Sequence, residues 1–322
     1  MKIESQLPRV LTTFGLQAPA RETLLGIAEL IEGPGGGALL TREEVLQQDS
    51  GIVGLINQGE LPIDDELLSY FPNLRIIANS AVGTDNLPAA LMATHGIWAT
   101  HAPDSLIEPT ADATLALLLS LARRVVEAHN YVVEGRWQGI FAGYWNGPLL
   151  SGKILGLIGF GRIAKAVAVR ARGFGMHVIH HRRTPSNDPA SRTLEDILSQ
   201  SDFLSIHTPL TPETHHLLNA ERLMCMKRGA YLINTGRGPI IDEAALVEAL
   251  RSGHLAGAAL DVFENEPTIH PGLLGRDNVV LTPHLGGHAT EGRCDAQLTC
   301  TENIAAVLRG GEPRFSLNNP GE

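Results

Sequence analysis

Three residues of different chemical type stand just past expected strand ends in the second half of the chain. Arg237 lies in Ile233-Asn234-Thr235-Gly236-Arg237-Gly238. Glu266 lies in Asp261-Val262-Phe263-Glu264-Asn265-Glu266-Pro267, and His284 in Leu281-Thr282-Pro283-His284-Leu285-Gly286-Gly287. Sheets flanked by helices hold their ligands beyond the carboxyl ends of the strands. A guanidinium there can clamp an anion, and a carboxylate can orient a neighbour. An imidazole, which titrates near neutrality, can carry a proton in either direction. Singly, each residue has a bland reading: a surface arginine, a charge at a helix start, a satisfied core histidine.

Residues 153–183 change that balance. Residues 154–158, Ile-Leu-Gly-Leu-Ile, form an apolar run long enough for one buried strand. Gly159, Gly161 and Ala164 follow in the spacing G-x-G-x-x-G/A. Gly159 allows the tight turn, Gly161 lets a pyrophosphate approach the backbone, and Ala164 lets a helix pack on the sheet. From Arg162 the pattern is helical, with Ile163, Val167 and Ala171 on one face, until Gly173 and Gly175. A strand at 176–180 completes the unit. Free backbone N–H groups and the positive end of a helix dipole then meet where a phosphate can bind. The alternative is a plain structural turn. With a hydride carrier bound there, the Arg, Glu and His read as one site.

The end of the second strand bears on which dinucleotide is bound. An NAD site usually has Asp or Glu about 20 residues past the glycines, on the ribose 2′-hydroxyl. Here stand His181, Arg182, Arg183 and Thr184, with no carboxylate until Asp188. Two guanidiniums suit a 2′-phosphate, which is charged and accepts forked hydrogen bonds. The expected cofactor is NADPH, with NADH as an alternative; the bland reading is a solvated basic turn.

The 322 residues suffice for two domains, each with its own core. Twenty-five basic against 35 acidic side chains give a formal charge of −10, which argues against bulk attraction to nucleic acid or an anionic membrane. Met1-Lys2-Ile3-Glu4-Ser5 lacks the apolar core of a signal peptide, and the longest apolar stretch, 113–122, is too short to span a bilayer. Cys225, Cys294 and Cys300 are unevenly spaced and read as free thiols in a reducing cytosol. His284 and His288 are four apart, but no third metal ligand is evident. The pairs His180-His181 and His215-His216 read the same way, and no metal is expected.

Strands are expected at 9–14, 52–56, 74–79 and 97–99, with helices at 19–31, 64–70 and 88–95. That alternation implies a flavodoxin-like parallel sheet of about 100 residues. A polar, proline-bearing hinge at 104–110 leads to a long helix at 110–135. An irregular aromatic stretch follows, with Trp137, Phe141, Tyr144 and Trp145. After the dinucleotide unit come strands at 203–207, 230–234, 256–261 and 279–282, and helices at 242–252 and 290–308. The fold class is thus α/β, with two Rossmann-like or flavodoxin-like domains, parallel sheets and a cleft between them. Segments 1–102 and 289–322 form the expected substrate domain, and 103–288 the NAD(P)-binding domain.

Several stretches together carry a resemblance. They are Val82-Gly83-Thr84-Asp85, Gly159-Phe160-Gly161-Arg162-Ile163, His207-Thr208-Pro209-Leu210-Thr211-Pro212-Glu213-Thr214, and the three motifs around Arg237, Glu266 and His284. The chain resembles the D-isomer-specific 2-hydroxyacid dehydrogenases over nearly its whole length. Within them it is most similar to the glyoxylate/hydroxypyruvate reductases. The departures are Gly286-Gly287-His288, where the family usually has a small third residue, and Ala164 for the third glycine.

The resemblance implies roles. Arg237 would hold the carboxylate and keto oxygen of a small 2-oxo acid, and His284 would give that oxygen a proton. Glu266 would pair with His284 and favour its charged form. Asp261 would face the nicotinamide, and Arg162 and Ile163 the pyrophosphate. His207, Pro209 and Thr214 would line the cofactor site, which also takes in Thr235 and Gly286. Backbone N–H groups of Val82 and Gly83 would bind the substrate carboxylate. The family pairs its cofactor domains through the region of the long helix and the aromatic stretch, which implies a homodimer; with free thiols and no signal peptide, the expected location is the cytoplasm. An NADPH-dependent reductase is the leading reading. The alternatives are a dinucleotide-sensing binding protein, like relatives that act as transcriptional corepressors, and a dehydrogenase for another 2-hydroxy acid. A phosphoglycerate dehydrogenase would often add a C-terminal domain, which is not expected here.

Overall fold

The computed structural model describes residues 7–140, 142–184 and 187–320; the N-terminal residues read for a targeting signal, Phe141 and the last two residues lie outside them. The chain divides into two compact units, Met1–Leu106 with His288–Glu322, and Ile107–Gly287.

The first unit holds a parallel sheet of β1 (Arg9–Thr12), β2 (Glu29–Glu32), β3 (Ile52–Asn57), β4 (Ile76–Asn79) and β5 (Trp98–Thr100). They stand in the order β2-β1-β3-β4-β5, the flavodoxin-like order. Its helices are α1 (Ala18–Thr23), α2 (Arg42–Val45), α3 (Asp65–Tyr70), α4 (Ala89–Thr94) and, from the end of the chain, α11 (Thr290–Leu308). Successive strand residues point to opposite faces, and both faces are covered, so β3 and β4 are apolar up to the buried Asn57 and Asn79 that end them. Leu55 and Ile77 pack with Leu67, Leu68 and Phe71, whereas Ile56 and Ile76 pack with Val10, Cys300 and Ile304. Gly54 gives the last helix room, since a Cβ there would stand 2.9 Å from Ile304 Cδ1.

The second unit holds β6 (Ile154–Ile158), β7 (His177–His181), β8 (Phe203–Ile206), β9 (Tyr231–Asn234), β10 (Gly257–Leu260) and β11 (Val279–Leu281), all parallel, in the order β11-β10-β9-β8-β6-β7. Its helices are α5 (Ile107–Ala122), α6 (Val125–Val133), α7 (Arg162–Gly173), α8 (Leu194–Gln200), α9 (Ala220–Cys225) and α10 (Glu243–Arg251). The chain passes from β6 outward to β7 and then back across to β8. The turn after β6 therefore lies at the point where the strand order reverses, where such sheets take their ligands.

Several expectations need correction. Residues 19–31 are not one helix: α1 stops at Thr23, Gly26 takes φ +71, and Glu29–Glu32 joins β1 as an edge strand. An edge strand with partly exposed faces lacks the apolar run of a central one. The helix expected at 110–135 is two. It breaks at Arg124, whose φ is +54 and whose guanidinium holds Glu127 at 2.7 and 2.6 Å and the Tyr144 carbonyl at 2.5 Å. α5 also begins inside the stretch read as a hinge. Pro109 falls in its first turn, where no backbone N–H is needed. The short helices α2, α8 and α9 carried no expectation; α2 is a single turn held by the Thr41–Glu44 capping box.

Candidate active site

The loop after β11 carries His284, and Asp261 at the end of β10 holds that loop. Asp261 is 1% exposed. Its Oδ1 accepts Thr282 Oγ1 at 2.6 Å and Leu285 N at 2.8 Å, and its Oδ2 accepts Gly286 N at 2.7 Å. His284 N donates to the Asp261 carbonyl at 2.8 Å. The lacing leaves no slack at Gly286, where a Cβ would approach Asp261 Oδ2 to 3.0 Å. It also holds His284 at φ +54, a conformation that costs a non-glycine residue on the order of 1 kcal/mol. Expected from the resemblance to face the nicotinamide, Asp261 uses its carboxylate to anchor the histidine loop.

Glu266 meets the imidazole. His284 Nδ1 lies 2.9 Å from Glu266 Oε2, and Glu266 Oε1 accepts Phe263 N at 3.0 Å. Burial pushes the Glu266 carboxyl up. The hydrogen bond from His284, the His284 and Arg237 charges and the Phe263 N–H outweigh it, and the group lies below the ordinary carboxylate range. An ionised carboxylate only accepts, so Nδ1 carries a proton. Nε2 has no hydrogen-bond partner among the described residues, and the side chain is 50% exposed. One ring nitrogen is thus fixed and the other is left for a reactant.

Arg237 is placed by the turn after β9. Buried Asn234 accepts Gly236 N at 2.9 Å and donates to the Arg237 carbonyl at 3.0 Å. Nη1 of Arg237 donates to the Gly236 carbonyl at 2.8 Å. Gly238 lies against the backbone of the neighbouring loop, with a built Cβ only 1.9 Å from the Phe263 carbonyl. This contact packs the arginine turn onto the segment that leads to Glu266, close enough for the guanidinium to act on that carboxyl. A second network braces the segment: His216 Nε2 is 2.7 Å from Glu264 Oε1, and Glu264 N donates to buried Glu243 at 2.8 Å. Asp261, Asn234 and this network escaped the sequence reading as positioning groups, although Asn234 sits inside a quoted motif.

The turn after β6 has the form a phosphate requires. Gly159 takes φ +87, and a Cβ there would strike the His207 carbonyl oxygen at 2.5 Å. Gly161 caps α7 without a side-chain hydrogen bond, and nothing stands within 4 Å of its absent Cβ. Ala164 is fully buried against the sheet, Ile163 is partly buried, and Arg162 is exposed. His207 follows β8 and is partly buried. Ser205 Oγ lies 2.9 Å from its Nε2, and burial of the ring pushes its pKa down to about 4. Thr214 Oγ1 donates to the Pro209 carbonyl at 2.7 Å, which closes the loop after His207. Thr235 shares a 2.9 Å hydroxyl contact with Thr114 of α5. Arg182 and Arg183 are exposed just past β7, with no hydrogen-bond partner among the described residues. The open space at Gly161 and the uncapped first turn of α7 fit a dinucleotide phosphate.

Val82 and Gly83 belong to the first unit. The Val82 carbonyl accepts His101 Nδ1 at 2.9 Å, and Arg293 Nη1 donates to the Ser80 carbonyl at 3.2 Å. Asn79 and Asn86 link side chains at 2.6 Å beneath the same turn.

Residues 115–286 match the family model of the D-isomer specific 2-hydroxyacid dehydrogenase NAD-binding domain. A glyoxylate reductase of Aeropyrum pernix is 46% identical over 269 residues, which cover 80% of each chain. A solved structure from Thermus thermophilus superposes with a TM-score of 0.91 at 45% identity, covering 96% of this chain and 99% of the other. An NADPH-dependent glyoxylate/hydroxypyruvate reductase of Sinorhizobium meliloti, solved with NADP and malonate, gives 0.82 at 33% identity, with 96% of both chains covered. With its two parallel sheets, its nicotinamide-dinucleotide unit and these relatives, the chain belongs to the D-isomer-specific 2-hydroxyacid dehydrogenases, a family of oxidoreductases.

Proposed function

We propose that this protein reduces small 2-oxo acids, glyoxylate and hydroxypyruvate foremost, to D-2-hydroxy acids, with NADPH as its preferred reductant. One observation carries the reading: His284 is fixed through Nδ1 to an ionised Glu266, with Nε2 unengaged and the Arg237 charge beside the pair. A bound nicotinamide dinucleotide supplies the hydride. His284 Nε2 gives the keto oxygen its proton, while Glu266 favours the imidazolium and fixes its orientation. Arg237 binds the carboxylate through its planar fork and stabilises charge on the keto oxygen. The names of the relatives support the substrate class.

The preference for NADPH is supported at the end of β7. Arg182 and Arg183 are exposed there without a hydrogen-bond partner among the described residues, and the Arg183 charge acts on Glu213. The first carboxylate to follow, Asp188, is taken by His180 at 3.0 Å and Ala190 N at 2.8 Å, rather than held out for a ribose hydroxyl. Initial rates on a panel of 2-oxo acids, each with NADPH and NADH, test the reading. Glyoxylate or hydroxypyruvate with NADPH should give the highest kcat/KM. No turnover of any 2-oxo acid would reject the activity, and a higher kcat/KM with NADH would reject the cofactor preference.

A further inference from the structure

His180 is the penultimate residue of β7 and is 1% exposed. Its ring lies flat on Phe160, with centroids 3.7 Å apart and planes 4° from parallel. Phe160 stands between Gly159 and Gly161, in the turn that faces a pyrophosphate. Nε2 of the same ring lies 3.0 Å from Asp188 Oδ2, on the return side of the turn that bears Arg182 and Arg183. The backbone closes that turn as well: His180 N donates to the Ala190 carbonyl at 3.0 Å, and Arg192 N to the His180 carbonyl at 2.8 Å. The Ala190 N–H and the His180 contact hold the Asp188 carboxyl below its usual range, with Arg172 as a further charge acting on it. One buried imidazole therefore supports the pyrophosphate turn with its face and ties down the arginine turn with its edge.

We propose that His180 is a specificity-positioning residue, which through Phe160 and Asp188 sets the Arg182–Arg183 pair for a ribose 2′-phosphate. The inference rests on the NADPH preference proposed above. Exposed arginines on a loose turn lose much of their binding free energy to ordering, and a turn anchored in advance lowers that loss. The ribose 2′-hydroxyl of NADH gains little from the same anchoring, because it presents no anion to the guanidiniums.

The test measures dissociation constants of NADPH and NADH by fluorescence titration for the wild type, His180→Phe and Asp188→Asn. Phenylalanine keeps the stack on Phe160 and loses the bond to Asp188; asparagine keeps a neutral acceptor. In His180→Phe, NADPH should weaken roughly tenfold, the loss of about one charge-assisted hydrogen bond, while NADH stays within about twofold. Asp188→Asn should fall between. A wild type that binds NADPH no more tightly than NADH overturns both the cofactor reading and this proposal. A wild type that prefers NADPH, with the preference intact in His180→Phe, overturns the positioning role alone. Equal weakening of both dinucleotides, with a lower Tm, assigns His180 a purely structural part and also overturns it. If His180→Phe does not fold, Asp188→Asn decides: an unchanged preference rejects the proposal.

Discussion

At the level of single residues, the site makes its sharpest commitment in the His284–Glu266 pair. His284→Gln should keep dinucleotide affinity and lose about 10²–10⁴-fold in kcat, since glutamine can bond a keto oxygen but not protonate it. Steady-state rates beside cofactor titrations check this, and a near-normal kcat would reject the site. The Glu266 carboxyl lies below the ordinary carboxylate range and stands as an anion 2.9 Å from His284 Nδ1, a placement that favours a cationic partner. Glu266→Gln removes that anion. The fall of kcat/KM for reduction with rising pH should then move to lower pH, and an unmoved limb would remove Glu266 from its role. His207 gives a separate test in stability. It is held neutral with a pKa near 4, against 6.5 when exposed. Between those values the unfolded chain binds the extra proton, so stability falls as pH drops from about 6.5 towards about 4. A His207→Gln variant should show a shallower loss of Tm over that window. Arg237, Glu266 and His284 were legible because each sits in a short motif behind a strand. The part played by Asp261 was not, since its partners Thr282, Leu285 and Gly286 reach it only because β11 lies beside β10.

Among the elements, the two glycines after β6 look alike in sequence and should behave oppositely. Gly159→Ala forces a Cβ into the His207 carbonyl at φ +87, so Tm should fall by several degrees. Gly161→Ala meets open space, and alanine as an N-cap costs under about 1 kcal/mol. That variant should melt nearly as the wild type does and bind dinucleotide more weakly. Paired melting curves and titrations distinguish the two. Equal effects on Tm would reject the division of labour between them. The strand–turn–helix unit was legible because its apolar run, glycines and helical period agree. The break at Arg124 was not: the leucine-rich period runs up to it, and the cause lies in hydrogen bonds to Glu127 and to the distant Tyr144 carbonyl. The edge strand β2 was hidden for the opposite reason, a pattern too short and too exposed to stand out.

For the molecule as a whole, α6 has no buried residue, and Val125, Val126, Val132, Val133, Trp137 and Ile140 are exposed on it and just beyond. An apolar stretch of that kind marks an interaction surface, and we propose that a second copy of the chain covers it. Light scattering at micromolar concentration should give the mass of two chains, and Val133→Glu should shift it towards one. A wild-type mass of one chain would reject the pairing. The alternation of strands and helices made both sheets legible, and with them the fold class; strand order was not, because it depends on which strands pair across the intervening helices.

The return of the chain to its first unit has a consequence for synthesis on the ribosome. The segment Ile107–Gly287 is continuous and has all of its strands when its last residues emerge. The first unit, begun earlier, must wait for Cys300, Ile304 and Val307 to cover Val10, Ile56 and Ile76. At ~5–20 residues per second the wait is roughly 10–40 s. Throughout it, the nascent chain displays the part of a greasy sheet face that Ala20 and Leu24 leave open, which makes this the interval in which a chaperone would engage it.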